Sequence, residues 1–309
     1  MNYLRQPKGY AARVLLDHLS EGGSRITTMV GRFPRFILAE FNTHRMFSRN
    51  SASSRAIPVE ARARAIMKEP VWPIEWGVNK SGMTADDFLD IYTQRKAEAI
   101  WRDIMEMSVD ASLQLAALKP PVHKQVANRP AETYAYHEVI FTATDNGRGP
   151  LPWDNFFSQR NHQAAQPEFR YFAAMALEAY LESTPRVVPE GFWHLPFIQP
   201  DEEEWDLTMK TRVSVARCAR VSYLTHEGVR DPKKDVELFF KLASADPPHM
   251  SPFEHVAMAV GSSLHASGNF RGWQQYRQVV FGQTQNRHDK LERQRAKLGI
   301  GAGRTPNRG

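Results

Sequence analysis

The sequence predicts an α/β or α+β fold, in which a small, mostly antiparallel sheet packs against long helices. Three observations point there. Residues 12–18 and 25–30 are short, apolar and rich in β-formers, and Glu21-Gly22-Gly23-Ser24 between them is hairpin chemistry. A second β-branched and aromatic run, holding Val139, Ile140 and Phe141, extends from Tyr134 to Thr144. Helical periodicity is sustained from Phe88 to Leu118 and again from Gln166 to Tyr180.

In chain order, the hairpin feeds a run in which Phe33, Phe36, Ile37 and Phe41 recur every three or four residues. This predicts a helix from Pro34 to about Met46, with proline in its first turn. On such a helix His44 lies one turn beyond Glu40 and one turn before Ser48. Serine and asparagine then divert backbone hydrogen bonds, and Pro58 disfavours helix at Ile57, so Ser48 to Pro58 reads as a donor-rich loop suited to an anion. Residues 70–77 form a rigid aromatic connection. Thr84-Ala85-Asp86-Asp87 reads as the cap of a long helix ended by Pro120-Pro121. Its stripe Phe88, Tyr92, Ala99, Ile104, Met107, Ala111, Leu115 and Leu118 is expected to be core. Residues 123–130 are compact and basic. The helix opened by Pro167 places Phe169, Phe172, Ala173, Leu177 and Tyr180 on one side. Ser183-Thr184-Pro185 and the acidic run 201–204 mark a boundary region around a strand-like segment, 191–198. A helix near 213–221, an amphipathic helix carrying Asp235 and a strand-like segment, 256–260, follow.

With 309 residues, 42% of them apolar, the chain can bury a full core as one large domain or two ordinary ones. No apolar leader opens it and no stretch approaches a membrane span, so a cytoplasmic protein is expected. A single cysteine, Cys218, excludes an internal disulfide and a thiolate metal site, and its helical context reads as a buried structural residue. The net charge is +6 and the pI about 9.4. Much of the excess lies in the last residues, Arg287 to Gly309, where seven Lys or Arg stand against Asp289 and Glu292. The body is nearly balanced, which argues against nucleic acid as its partner. Gly299-Ile300-Gly301-Ala302-Gly303 lacks the strand and helix of a phosphate loop and reads as a flexible end.

The chemistry is concentrated in His44-Arg45-x-x-Ser48-x-Asn50-x-x-Ser53-x-Arg55. Fixed identities at this spacing resemble the signature of the flavin-dependent thymidylate synthases. Thr43 and Ser51 stand where that family has Arg and, usually, Glu or Gln. The resemblance continues through Ala127-Asn128-Arg129-Pro130, through Asn155 and Arg160, and through Ala165-Gln166-Pro167-Glu168-Phe169-Arg170. Residues 216–223, the Asp235 helix and His249-Met250-Ser251-Pro252-Phe253-Glu254-His255 resemble segments that open ordinary members. Here they follow the signature, as in a permuted or duplicated arrangement. Three regions result: a catalytic region 1–185, a second region 186–285 packed on it, and a basic tail 286–309.

The resemblance supports the expected fold more than periodicity does, and it implies the site. Arg170 would act on the pyrimidine as catalytic and substrate-binding residue. Ser48, Asn50, Ser53, Arg55 and Arg129 would bind the substrate. His44, Arg45, Asn155, Arg160, Ser251, Glu254 and His255 would bind cofactor. The implied reaction transfers a one-carbon unit from methylenetetrahydrofolate to C5 of dUMP, with FAD as hydride carrier and NADPH as reductant, in a homotetramer with shared sites. Arginine suits such a pocket, because a guanidinium stays charged and grips phosphate or ring oxygens in a fork. No thiolate is placed to add to the ring, so a reduced flavin would replace that device. A metal is not expected: Glu254 and His255 are neighbours that share no helix face, and no His pair has i, i+4 spacing. Two other readings stand beside this one. The same scaffold would methylate or hydroxymethylate another pyrimidine nucleotide, such as dCMP, or the chain would be a nucleic-acid-binding protein using its basic tail.

Overall fold

The computed structural model describes residues 8–149, 151–223 and 230–282; the basic tail 286–309 lies outside them. The fold is mixed α/β. Strands β1 (Ala11–Ser20) and β2 (Arg25–Pro34) form the expected antiparallel hairpin, in register from Ala11 opposite Arg32 to Leu19 opposite Arg25, with one irregularity between Val14 and Leu16. After a short helix, α1 (Leu38–Phe41), comes β3 (Ser48–Ser51). The helices α2 (Val59–Lys68), α3 (Ile91–Ala117) and α4 (Lys124–Ala127) precede β4 (Tyr136–Asp145). Helices α5 (Pro152–Arg160) and α6 (Pro167–Glu182) then lead to β5 (Arg186–Val188) and β6 (Trp193–His194). The order of the main sheet is β3-β4-β2-β1-β5, antiparallel apart from the β1–β5 pair.

Strand alternation gives this sheet two unlike faces. Met29, Phe33, Val139, Phe141 and Ala143 face α5 and α6, where Phe41, Phe47, Trp153, Phe156, Phe169 and Phe172 complete an aromatic core. Phe33 and Phe172 are 4.7 Å apart between ring centroids, and Phe41 and Phe141 meet edge to face at 5.3 Å. The opposite face carries Ile26, Thr28, Val30, Ile140 and Thr142. It is covered by the second half of the chain: α7 (Leu207–Arg220), α8 (Pro232–Ser244), β7 (Ala257–Ala259), β8 (Ala266–Ser267), β9 (Phe270–Arg271), β10 (Trp273–Gln275) and α9 (Tyr276–Phe281). A three-stranded sheet, β10-β7-β6, lies within this cover.

Three sequence expectations are corrected. The helix expected from Pro34 to Met46 is only α1, after a 3-10 turn at Arg35–Ile37. Pro34 still belongs to β2 opposite Tyr136, so the strand uses up the helix's expected start. The expected loop at Ser48 is a strand, because β4 offers it a free edge: Ser48 pairs opposite Thr142 and Asn50 opposite Ile140. Helix α3 starts at Ile91 and is capped by Asp90, which accepts from the Tyr92 and Thr93 amides at 2.9 and 3.0 Å. Its expected core stripe is mostly outside: Phe88, Tyr92, Ile104, Met107 and Leu118 are exposed, whereas Met105 and Val109 are buried. The Trp101 indole fixes that rotation by donating to Val71 O at 3.1 Å while packing on Tyr134.

Candidate functional site

The signature residues divide between the two faces of the sheet. On the aromatic side, the turn after α1 is closed by the His44 amide to Phe41 O and the Phe47 amide to His44 O. Arg49 clamps it by donating to Phe41 O and His44 O, both at 3.2 Å. Arg160, at the end of α5, meets this turn through its whole guanidinium. Its Nε donates to His44 Nε2 at 2.9 Å, one Nη to Glu40 Oε2 at 2.9 Å and the other to Thr43 Oγ1 at 3.1 Å, with the Phe169 ring beneath at 4.8 Å. His44 is thus an acceptor at Nε2. Burial, with the charges of Arg160 and Arg49, lowers its pKa to about 4, so the ring is neutral at pH 7.

Arg170 follows Phe169 on α6. It pairs with Glu75 at 2.6 Å and reaches Gln163 O at 3.4 Å. Beside it the Glu168 carboxylate accepts from the Ile74 amide at 3.0 Å. His44, Arg160, Phe169 and Arg170 therefore share one neighbourhood, with Arg170 directed toward the 74–75 segment. Asn155 is exposed on α5, where its Oδ1 accepts from Gln159 at 2.8 Å.

The other face gathers Ser48, Asn50, Ser251, Glu254 and His255. Alternation along β3 turns Ser48 and Asn50 into a buried polar layer between the sheet and its cover. Asn50 donates to Cys218 O at 2.7 Å and accepts from the Ser222 and Ser251 hydroxyls, each at 3.3 Å. Ser48 accepts from Asn269 at 3.1 Å and Gln275 at 3.2 Å, and the same Gln275 amide donates to Glu254 O. Asn269 also holds Met46 O at 2.7 Å, and the Glu254 carboxylate pairs with Arg277. Segments some two hundred residues apart thus meet here.

The loop after β3 is fixed differently. The Ser53 amide donates to Ser222 O at 3.1 Å, and its hydroxyl caps the Arg55 amide. Asn128 donates to Ser54 O and Ile57 O at 2.9 and 3.0 Å, whereas Arg129 turns away to Glu132 at 3.0 Å. Arg45 and Arg55 are exposed, and neither side chain has a hydrogen bond or ion pair among the described residues. Two uncommitted cations thus flank β3, which suits them to phosphate groups of a nucleotide or flavin.

Sequence reasoning missed six residues of the polar layer: His18, Thr28, Thr142, His194, Asn269 and Gln275. The alternating polar positions of β2 and β4 were the available signal for the threonines. The two histidines lie 176 residues apart and meet only through folding. Thr142 Oγ1 lies 2.9 Å from His255 Nδ1 and 2.7 Å from Thr28 Oγ1. Beyond His18 opens a cleft of about 540 Å³, lined by Asp17, Arg186, Phe192, Trp193 and Lys210, and by none of the expected site residues. The Cys218 thiol is wholly buried, which raises its pKa and removes it as a nucleophile. Among the described residues, no group of three or more His, Cys, Asp or Glu could hold a metal, and no helix is long and apolar enough to cross a membrane.

No family model matches the chain, and no curated protein matches it. Among solved structures it is similar to the UMP/dUMP methylase PolB from Streptomyces cacaoi. The form bound with 5-Br dUMP has 18% identity and a TM-score of 0.40, over 52% of this chain and 69% of that chain. The form bound with 5-Br UMP has 15% identity and a TM-score of 0.43, over 56% of this chain and 89% of that chain.

Proposed function

We propose that the chain is a one-carbon transferase acting at C5 of a pyrimidine nucleotide, with dUMP as substrate and FAD, methylenetetrahydrofolate and NADPH as partners, working as a homotetramer. One observation carries the reading. The signature strand is held from beneath by Ser251, Asn269, Gln275 and the Cys218 carbonyl, while Arg45 and Arg55 flank it with no side-chain partner among the described residues. A rigid backbone between unpaired guanidinium groups is what phosphate recognition needs, because little ordering then remains to oppose binding.

The residues present fit a flavin nucleotide on this account. Arg45 would meet its phosphates, with the neutral His44 turn supporting that arginine's backbone. When bound, the flavin would supply hydride. The protein's own part is electrostatic and positional. Arg55 and Ser53 would hold the nucleotide phosphate, and Arg170, freed from Glu75, would polarise the pyrimidine carbonyls. The paired Arg160 shapes the turn that carries Arg45.

The test is the absorption spectrum of the purified protein, with separate turnover assays on dUMP and dCMP and products identified by mass. A flavin spectrum and methylated dUMP are expected. Arg45→Ala should lose flavin, whereas Arg170→Ala should retain it and abolish turnover. A colourless protein that binds no added FAD, or full activity in both variants, would overturn the proposal.

A further inference from the structure

Five buried side chains form an unbroken hydrogen-bonded line through the polar layer. His18 Nδ1 is 3.0 Å from His194 Nδ1, and His194 Nε2 is 2.8 Å from Thr28 Oγ1. Thr28 Oγ1 is 2.7 Å from Thr142 Oγ1, which is 2.9 Å from His255 Nδ1. None of the five is more than 5% exposed. One end, His18, lies in the wall of the cleft against the edge of Phe192. At the other end, His255 Nε2 is buried without a hydrogen-bond partner among the described residues. His255 follows Glu254, whose backbone oxygen shares the Gln275 amide with Ser48.

Each member both donates and accepts, since a neutral imidazole has one N–H and one bare nitrogen, and a hydroxyl has one hydrogen. The line therefore has two self-consistent polarities. In the first, His255 donates from Nδ1, both hydroxyls donate toward His194 Nε2, and His194 donates from Nδ1 to His18. His18 then keeps its proton on Nε2, and His255 Nε2 is bare. In the second, every bond is reversed and His255 Nε2 holds the proton. Burial keeps all three rings neutral at pH 7, holding His18 near pKa 4, His255 near 3 and His194 well below its ordinary value. Arg186 adds to the lowering at His18, and Asp17 opposes it.

The geometry points to a neutral proton wire between His255 Nε2, next to the signature strand, and His18 in the cleft. A proton arriving at His255 Nε2 displaces the Nδ1 proton to Thr142. Thr142 passes its own proton to Thr28, Thr28 to His194 Nε2, and His194 from Nδ1 to His18 Nδ1. His18 then releases its Nε2 proton to water in the cleft. Within the line five N–H or O–H bonds break and five form, and no charge remains buried. One passage reverses the polarity, so the wire suits a cycle that withdraws one proton and returns one. Replacing the C5 hydrogen of a pyrimidine releases a proton, which the wire would carry out once per turnover, and a proton returned from the cleft before the next turnover would restore the first polarity. That use rests on the nucleotide reading; the wire itself does not.

The test uses the full chain labelled with ¹⁵N-histidine. Two-bond ¹H–¹⁵N spectra give the tautomer of each ring, and saturation transfer gives exchange of the His255 ring proton with solvent. The wild type should show one of the two complementary tautomer sets. Thr142→Val, which keeps the shape and removes the hydroxyl, should slow exchange at His255 at least tenfold, and Thr142→Ser should keep it. Mismatched tautomers in the wild type, an imidazolium at pH 7, or unchanged exchange in folded Thr142→Val would overturn the wire. The wild-type tautomers decide the matter even if the valine variant fails to fold. Release of tritium from C5-labelled dUMP tests the use. A tenfold loss in Thr142→Val supports it, and equal release in both proteins overturns it. No release from the wild type would overturn the nucleotide reading and leave the wire standing.

Discussion

Arg217 on α7 offers the sharpest energetic test. It is 2% exposed, and its guanidinium is fully engaged: with Glu202 at 2.6 and 2.8 Å, with Asp235 at 3.1 Å and with Phe197 O at 2.8 Å. Arg217→Met keeps most of the volume and removes the charge. Glu202 is then left with Arg230, and Asp235 with Arg220. Breaking a buried pair from one side costs about 3–5 kcal/mol. The Glu202 carboxyl gives an independent figure. Burial alone would raise its pKa, but hydrogen bonds led by Arg217 hold it at about 2 against an ordinary 4.5. At ~1.36 kcal/mol per unit, that is roughly 3 kcal/mol. A depressed pKa stabilises above pH ~4.5, and that stability is lost as pH falls toward 2. With an unfolding entropy of ~2.1 cal/mol/K per residue, the variant should melt roughly 5–8 °C lower at pH 7. By pH 3 the difference should shrink to about half, because the wild type has by then lost much of the Glu202 contribution. Calorimetry at both pH values measures it. A shift under ~2 °C at pH 7, or an equal gap at pH 3, would refute the reasoning.

Three further outcomes are expected. Gly31→Ala should destabilise by about 1–3 kcal/mol in denaturant titration, because its Cβ would lie 2.6 and 2.7 Å from ring atoms of Phe172, which the aromatic core prevents from moving. Arg160→Met removes one of the two charges that lower the His44 pKa but leaves burial, the larger cause, and Arg49 in place, so NMR titration should show a rise from about 4 that stays well short of 6.5; no change would refute the part assigned to Arg160. Cys218 should react with a thiol reagent only as fast as the protein unfolds, because burial raises its pKa and excludes the reagent.

The legible parts of the fold were those decided by local pattern. The β1–β2 hairpin, β4, α6 with its first-turn proline, and the buried Cys218 on α7 all follow from period, turn chemistry and burial preference. Elements decided by distant partners were not. Ser48-Arg49-Asn50-Ser51 has the composition of a loop and becomes a strand because β4 and the Asn269, Gln275 and Ser251 side chains satisfy it. The rotation of α3 depends on distant partners: Met105 and Val109 pack with Ala63, Ile66 and Tyr134, and the Trp101 indole donates to Val71 O. In the candidate site, the family resemblance named Ser48 and Asn50 for substrate and Ser251, Glu254 and His255 for cofactor, and only the fold shows Asn50 bonded to Ser251 and Ser48 sharing Gln275 with Glu254 O. The His18–His194 contact had no local signature at all.

The dependence of β3 on the far end of the chain also has a consequence during synthesis. Its anchors Ser251, Asn269 and Gln275 lie 201, 221 and 227 residues downstream of the groups they hold. A nascent chain that has just completed α6 already carries every member of the aromatic layer, so that half can condense while the ribosome is still at work. Its polar half must wait until residues 251–275 have been made. A polypeptide that stopped before them would hold a collapsed nucleus but leave Ser48 and Asn50 without these partners.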